Sequence, residues 1–238
     1  MQSDSALKVA AVIPAAGFGT RMKSGLSKQF LLLEGKPLLY YTLTVFEQSH
    51  LIDEIIVVLS KEDRKIAEEK IFSPFIFKKV TTLVEGGAQR RDSVYNGLKA
   101  VDQKSDYVVI HDGCRPFVTE SMISDSLSAA RETGGAIVAL PVQDTLKRGN
   151  RGFIEETVSR EGVWRAQTPQ TFQYSLILQA YQNAIKNDIC VTDDAMMVEQ
   201  LGHPVKIVPG SIFNIKITHP QDIILAEMIL KKQEISGS

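Results

Sequence analysis

An arginine, a lysine and a run of small residues set the first chemistry available to this chain. The stretch Val9-Ala10-Ala11-Val12-Ile13-Pro14-Ala15-Ala16-Gly17-Phe18-Gly19-Thr20-Arg21-Met22 leads to Lys28-Gln29-Phe30. Pro14 ends the apolar run, Ala15, Ala16, Gly17 and Gly19 leave the backbone bare enough for a ligand to approach, and Gly17 and Gly19 allow a positive φ. Free N–H groups in such a loop form an anion cradle, to which Arg21 and Lys28 add fixed charge. The spacing Gly17-x-Gly19 alone also fits an ordinary tight turn. Met22 stands where a dinucleotide fingerprint would carry its third glycine, and no Gly-Lys-Ser/Thr follows. The two cations are what point to phosphate.

A second group is His111-Asp112-Gly113-Cys114-Arg115-Pro116. Mg²⁺ is content with one or two carboxylates plus substrate phosphate oxygens, so Asp112 is the metal candidate. An Asx-turn or an Asp112–Arg115 ion pair also fits these residues. His111, preceded by apolar residues, reads as a satisfied core histidine. If the nucleophile is a phosphomonoester, it already carries close to two charges at neutral pH and needs no base. Alignment and charge neutralisation are then the tasks, and Arg21, Lys28 and Lys216 suit them. Strand alternation in Asn214-Ile215-Lys216-Ile217 is equally met by a solvent-facing lysine.

Other polar residues have plain alternatives. Ser93 fits a helix cap, and Thr192-Asp193-Asp194 fits an N-cap. Arg160 fits a solvated arginine beside Glu161, and Asp144-Thr145 a polar strand. Thr168-Pro169-Gln170 next to Phe172 is harder to explain as packing.

The elements that must position these groups alternate. Val9–Ile13, Ile55–Leu59, Val80–Val84, Tyr107–Ile110 and Ala136–Leu140 are strand-length apolar runs. Between them lie helical patterns: Leu38, Tyr41, Val45 and Phe46 behind Pro37; Lys61–Phe72; Arg91–Val101; and Ser121–Thr133. The alternation predicts an α/β fold with a doubly wound, mainly parallel sheet. Ligands in such sheets sit beyond the carboxyl ends of the strands, so the loops after Ile13, Val84 and Ile110 should converge. From 142 to 168 the rhythm breaks. Val142–Lys147 and Phe153–Val158 around Gly149-Asn150-Arg151-Gly152 predict a β-hairpin arm, either lying on its own sheet edge or projecting to dimerise. Helices over Ser175–Asn187 and Asp193–Leu201, strands over Val205–Pro209 and Asn214–Ile217, and a final helix from about Pro220 to Lys232 follow. In that helix Ile224, Leu225, Met228 and Ile229 are expected inward. No linker or repeat appears, so residues 1–238 are expected to form one domain.

The bulk composition excludes several classes. With 238 residues, 44% hydrophobic and 23% charged, the chain has the makeup of a soluble globule that can bury a sizeable core. A net charge of −1 argues against a nucleic-acid surface or a polybasic membrane patch, so any anion site is local. Cys114 and Cys190 have no zinc or redox spacing and read as reduced thiols. The start has no basic cluster and its apolar run breaks at Pro14, which argues against a signal peptide or membrane span. The cytoplasm is the expected location, or a plastid stroma if a transit peptide has been removed.

Pro14-Ala15-Ala16-Gly17-Phe18-Gly19-Thr20-Arg21-Met22 with Lys28-Gln29-Phe30 resembles the signature of the sugar-phosphate nucleotidyltransferases. It is most similar to the cytidylyltransferases that act on 2-C-methyl-D-erythritol 4-phosphate, and the similarity runs from Val9 to about Leu230. It implies a Rossmann-like nucleotidyltransferase fold, CTP and a sugar-alcohol phosphate as substrates, Mg²⁺ at Asp112, and a homodimer formed through the 142–168 arm. By the same resemblance Arg21, Lys28 and Lys216 are catalytic. Pro14, Ala15, Ala16, Gly17, Gly19, Gly87 and Ser93 would bind CTP. Arg115, Thr145, Arg160, Thr168 and Thr192 would bind the second substrate, with Thr145 and Arg160 reaching a neighbouring subunit. Gly113 and Cys114 depart from the family's usual Ala-Ala, making Cys114 a candidate oxidation site, and Ala88 replaces a frequent acidic residue.

Ribitol-5-phosphate cytidylyltransferases share the loop, the aspartate–arginine pair and Asn-Ile-Lys. Asp92-Ser93-Val94 and Val163-Trp164 favour the methylerythritol phosphate branch. A glycosyltransferase would want a second acid beside Asp112, where Gly113 stands. A non-catalytic nucleotide-binding protein would tolerate loss of Lys28 and Lys216.

Overall fold

The structure is a computed structural model that describes residues 7–17, 27–189 and 191–236. Gly19 and Arg21 lie outside the described residues, as does Cys190.

Strand β1 (Val9–Pro14) is buried along its length. A 3₁₀ turn at Lys28–Phe30 and a short antiparallel pair, β2 (Leu32–Leu33) and β3 (Lys36–Pro37), lead to helix α1 (Leu38–Gln48). After β4 (Glu54–Leu59), the stretch expected as one helix over 61–72 divides into α2 (Asp63–Ala67) and a wider π turn, Glu68–Phe72. Then come β5 (Val80–Glu85), α3 (Arg90–Ala100), β6 (Tyr107–Ile110), α4 (Glu120–Thr133) and β7 (Gly135–Pro141). Helix α4 shows both end signals: Thr119 accepts from the Met122 N–H, and Gly134 closes it at φ 86°.

The arm is β8 (Leu146–Asn150) and β9 (Phe153–Val158), antiparallel about Arg151 (φ 50°) and Gly152 (φ 86°). Two consecutive positive φ values are what a two-residue hairpin turn with native twist requires. The first arm strand starts later than expected, because Val142–Thr145 is irregular. Strand β10 (Trp164–Gln173), helices α5 (Tyr174–Lys186) and α6 (Asp194–Glu199), strand β11 (Lys206–Pro209) and helix α7 (Pro220–Ser236) complete the chain.

The main sheet has seven strands in the order β11-β7-β10-β6-β1-β4-β5. β6, β1, β4 and β5 run parallel, as do β7 and β11, while β10 is antiparallel to both β6 and β7. The mainly parallel sheet is as expected; the reversed strand in its middle is not. Alternation along β1 feeds two cores. Val9, Ala11 and Ile13 pack under α1, α2 and α4, whereas Ala10 and Val12 pack under α3, α5 and α6. The fit on that second face is close enough that a Cβ on Gly97 of α3 would come within 2.6 Å of Val12 Cγ1.

Two expectations near the end of the chain are corrected. Asn214–Ile217 is not a strand: the Asn214 N–H turns back to Ser211 O at 3.0 Å and the Ile215 N–H to Phe213 O at 2.8 Å, so the backbone bonds locally. In α7, Ile229 faces inward as expected, but Ile224, Leu225 and Met228 are exposed at 58%, 47% and 63%. Ala226 and Ile229, with Ile223 and Leu230 packed beside them, face the small core under Leu33, Leu38, Phe117 and Ile217. The helix is apolar on most sides, so periodicity does not select a face.

Candidate functional site

The carboxyl ends of β1, β5 and β6 open onto one cavity of about 340 Å³. β1 has β4 on one side and β6 on the other, and a crevice at such a divergence is where open α/β sheets take ligands. Pro14, Ala15, Ala16, Gly17, Lys28, Gly87, Ser93, Asp112 and Lys216 all line it. Arg115 and Thr168 stand behind it, touching Asp112. Thr145, Arg160 and Thr192 are exposed and do not line it; the first two lie on the arm segment, and Arg160 bonds to the Gln143 carbonyl.

The cradle is narrower than its sequence implies. The Ala15 N–H is spent on Val58 O at 2.8 Å, leaving Ala16 and Gly17 as its described donors. Gly17 does not take a positive φ, and a Cβ there would meet no described atom within 4 Å. Among the described residues, nothing in the packing requires that glycine. Gly86 is different: its Cβ would fall 2.5 Å from Ala16 Cβ, so it lets the loop after β5 close against the loop after β1. Ser93 holds that same loop, accepting from the Gly87 N–H at 3.0 Å and donating to Gln89 O at 3.0 Å. Gln89 and Asp92 form the capping box that starts α3.

Asp112 is the electrostatic centre. Lys216 Nζ lies 2.8 Å and Arg115 Nε 3.4 Å from its Oδ2, and Arg90 Nε lies 3.5 Å from its Oδ1. Burial works against its charge, but Lys216, Arg90 and Arg115 outweigh burial and hold the carboxyl well below the usual carboxylate range. Segment 214–216 is brought there by one side-chain and one backbone donor: Arg115 Nη1 donates to Asn214 O at 2.8 Å, and the Ile217 N–H donates to Cys114 O at 2.9 Å.

Thr168 Oγ accepts from the Asp112 N–H at 3.2 Å and sits 3.0 Å from His111 Nδ1. A hydroxyl that accepts from the amide has its own proton free for Nδ1, so His111 is neutral with its proton on Nε2, donating to Arg115 O at 3.1 Å. Burial lowers the imidazole to about 4. His111 is the bonded core residue expected, and it braces the β6 end. Cys114 is also buried, and burial pushes its thiol up to about 11.

Sequence reasoning gave no individual role to four residues that build this site. Arg90 and Asp194 form a two-pronged ion pair, and Gln170 Oε1 accepts the N–H groups of Asp194 and Ala195, both at 3.1 Å. Asp63 holds the turn that carries Lys28. The available signal was a charged residue with no solvent-facing pattern around it, and that does not name a partner.

Among the described residues, no three histidine, cysteine or acidic side chains gather as a metal cage. Asp112 alone could hold a hard divalent ion that completes its shell with substrate oxygens and water, since among the described residues its Oδ1 faces only the more distant arginine. Among the described residues, no helix is long and apolar enough to cross a membrane.

Residues 9–232 match the family described as IspD: 2-C-methyl-D-erythritol 4-phosphate cytidylyltransferase. A protein of that name from Syntrophus aciditrophicus is 48% identical over 228 residues, 95% of this chain and 97% of the relative. Another from Alkaliphilus oremlandii is 48% identical over 225 residues, 94% and 95% of the two chains. Among solved structures, the 4-diphosphocytidyl-2C-methyl-D-erythritol synthase of Anaerococcus prevotii superposes with a TM-score of 0.82 at 34% identity, covering 94% of this chain and 96% of that one. The fold, the cavity at the end of β1 and β6, and these likenesses agree that the chain belongs to the 2-C-methyl-D-erythritol 4-phosphate cytidylyltransferase family.

Proposed function

We infer that this protein transfers CMP from CTP to 2-C-methyl-D-erythritol 4-phosphate, releasing pyrophosphate and forming 4-diphosphocytidyl-2-C-methyl-D-erythritol for non-mevalonate isoprenoid precursor synthesis. The observation that carries this reading is a phosphate-sized concentration of charge, Lys28, Lys216, Arg90 and Asp112, lining one cavity in a chain of this family. The relatives' names favour methylerythritol phosphate over ribitol 5-phosphate.

The chemistry asks little of a base. A phosphate oxygen of the acceptor attacks the α-phosphorus of CTP, a new P–O bond forms, and the bond to the β-phosphate oxygen breaks in line with it. Lys28 and Arg21 neutralise the triphosphate over the Ala15–Arg21 loop, and the Ala16 and Gly17 N–H groups bind its oxygens. Lys216, seated on Asp112, faces the incoming phosphate. Arg115 keeps Lys216 in place through Asn214. The wall at Gly87 and Ser93 takes the cytosine. Asp112 would hold Mg²⁺, which when bound supplies further neutralisation of the phosphate oxygens. His111 moves no proton, because its two nitrogens are committed to Thr168 and Arg115.

Thr145 and Arg160 lie away from this chain's own cavity, and the arm exposes Phe153 at 79% and Ile154 at 68%. Both facts support an arm that reaches a second copy and completes its acceptor site, with Thr192 on the rim. The cytoplasm is the compartment this reading places it in. The test is pyrophosphate release with CTP, UTP, ATP and GTP against methylerythritol phosphate, ribitol 5-phosphate and a hexose 1-phosphate. Activity with CTP and methylerythritol phosphate alone is the expected result; a preference for ribitol 5-phosphate, or silence with every pair, would overturn the reading.

A further inference from the structure

Arg90, the first residue of α3, faces two carboxylates that have no contact in sequence. Its Nη1 and Nη2 donate to Asp194 Oδ1 and Oδ2 at 2.8 and 2.7 Å, the fork geometry of a strong arginine–carboxylate pair. Its Nε lies 3.5 Å from Asp112 Oδ1. Asp194 is fully buried, accepts from the Tyr181 hydroxyl, and is pinned by its own N–H to Gln170. Arg90 lines the cavity and Asp194 does not.

We propose that Arg90 is a positioning residue for nucleotidyl transfer: Asp194 grips one end of its guanidinium, and the other end sets the orientation of the Asp112 carboxylate. A guanidinium is planar, so two bonds to Asp194 determine where Nε points, which a lysine's single ammonium could not do. Lys216 and Arg115 both approach Oδ2, and among the described residues Arg90 is the cation at Oδ1. Without it the carboxylate is held from one side and can turn, carrying Lys216 away from the acceptor phosphate. The competing role is a plain staple between α3 and α6, since breaking any buried ion pair destabilises a fold.

The inference rests on the transfer reaction proposed above, and the wild-type protein assayed with CTP and methylerythritol phosphate separates the two: silence there defeats the reaction, not this role. Asp194→Asn and Arg90→Met are compared singly and together by steady-state pyrophosphate release and thermal unfolding. Each single variant should lower kcat by about ten- to a hundredfold, the scale of a misplaced reacting group, with KM for CTP within about threefold. The double variant should lose no more kcat than Arg90→Met alone, because Asp194 acts through Arg90. A kcat for Asp194→Asn within about twofold of wild type, or the same loss repeated in the Arg90→Met background, would overturn the role. Should Arg90→Met not fold, Arg90→Lys keeps the charge and drops the fork; an equal kcat loss supports the role, and wild-type kcat overturns it.

Discussion

Lys216 Nζ lies 2.8 Å from Asp112 Oδ2, closer than the 3.4 and 3.5 Å of the arginines on the same carboxylate. The Asp112 backbone is held by the sheet, because it lies two residues past the end of β6 and its N–H rests on Thr168. The aspartate therefore holds the lysine at the cavity wall. Lys216→Ala should cut kcat/KM by about a hundred- to a thousandfold, the scale of removing a preorganised donor. Steady-state pyrophosphate release checks this, and near-normal turnover would remove Lys216 from the chemistry.

His111 sets a pH dependence whose sign can be worked out. Burial lowers its pKa from 6.5 to about 4, so between those values the unfolded chain binds a proton that the native chain does not. Stability is then complete above pH 6.5 and is lost as the pH falls toward 4. At pH 5 the loss is about 2 kcal/mol, from 1.36 kcal/mol per unit. Asp112 adds its own loss only below the ordinary carboxylate range, because its pKa is depressed and its contribution is present above that range. Urea unfolding at pH 7.5 and pH 5 should therefore show a drop that shrinks by about this amount in His111→Asn. An equal drop in both proteins would mean that His111 is not a buried neutral group.

The parts of the fold that were legible are those where one signal dominates. Val9–Ile13 and Ile55–Leu59 are continuous apolar runs, and both lie in buried strands. Strand β10 was missed because its buried residues, Phe172 and Pro169 apart, are polar. Thr168-Pro169-Gln170 reads as a ligand motif, yet the side chains of Gln167, Thr168, Gln170 and Thr171 satisfy Ser211, His111, Asp194 and Ser126 inside the fold. Hydrophobic patterning does not register a strand of that kind. The loop after β1 and Asp112 were legible as a site because small residues beside cations have few structural uses. Arg90 and Asp194 were not, since their meaning lies in a partner about a hundred positions away and no local pattern encodes it.

The small residues Gly113 and Cys114 stand where oxidation sensitivity was expected. Burial pushes the Cys114 thiol up to about 11, so little thiolate exists at neutral pH. In the native protein at pH 7.5, iodoacetamide should modify Cys114 at least about a hundredfold more slowly than it does in urea. Mass spectrometry of the Cys114 peptide over time reads this directly. Rapid native labelling would show a reactive thiol beside the cavity.

Asp63 supports a prediction about Lys28, although it does not line the cavity. Its Oδ1 accepts from Ser27 Oγ at 2.7 Å and its Oδ2 from Gln29 Nε2 at 2.8 Å, so one buried carboxylate grips the residues on both sides of Lys28. Asp63→Ala releases both. It also strands the Gln29 amide, whose Oε1 has no partner among the described residues. A lysine that must meet phosphate is then carried on a loosened turn, and kcat should fall about tenfold or more, on the scale of misplacement rather than deletion. Asp63→Asn separates position from charge. Its oxygen can still accept from Ser27, and the Gln29 amide can rotate to offer its unpaired Oε1 to the new NH₂ group. That variant should keep kcat within about threefold of wild type, because the turn stays gripped without the negative charge. Full activity in Asp63→Ala, or an equal loss in Asp63→Asn, would show that gripping the turn is not what positions Lys28.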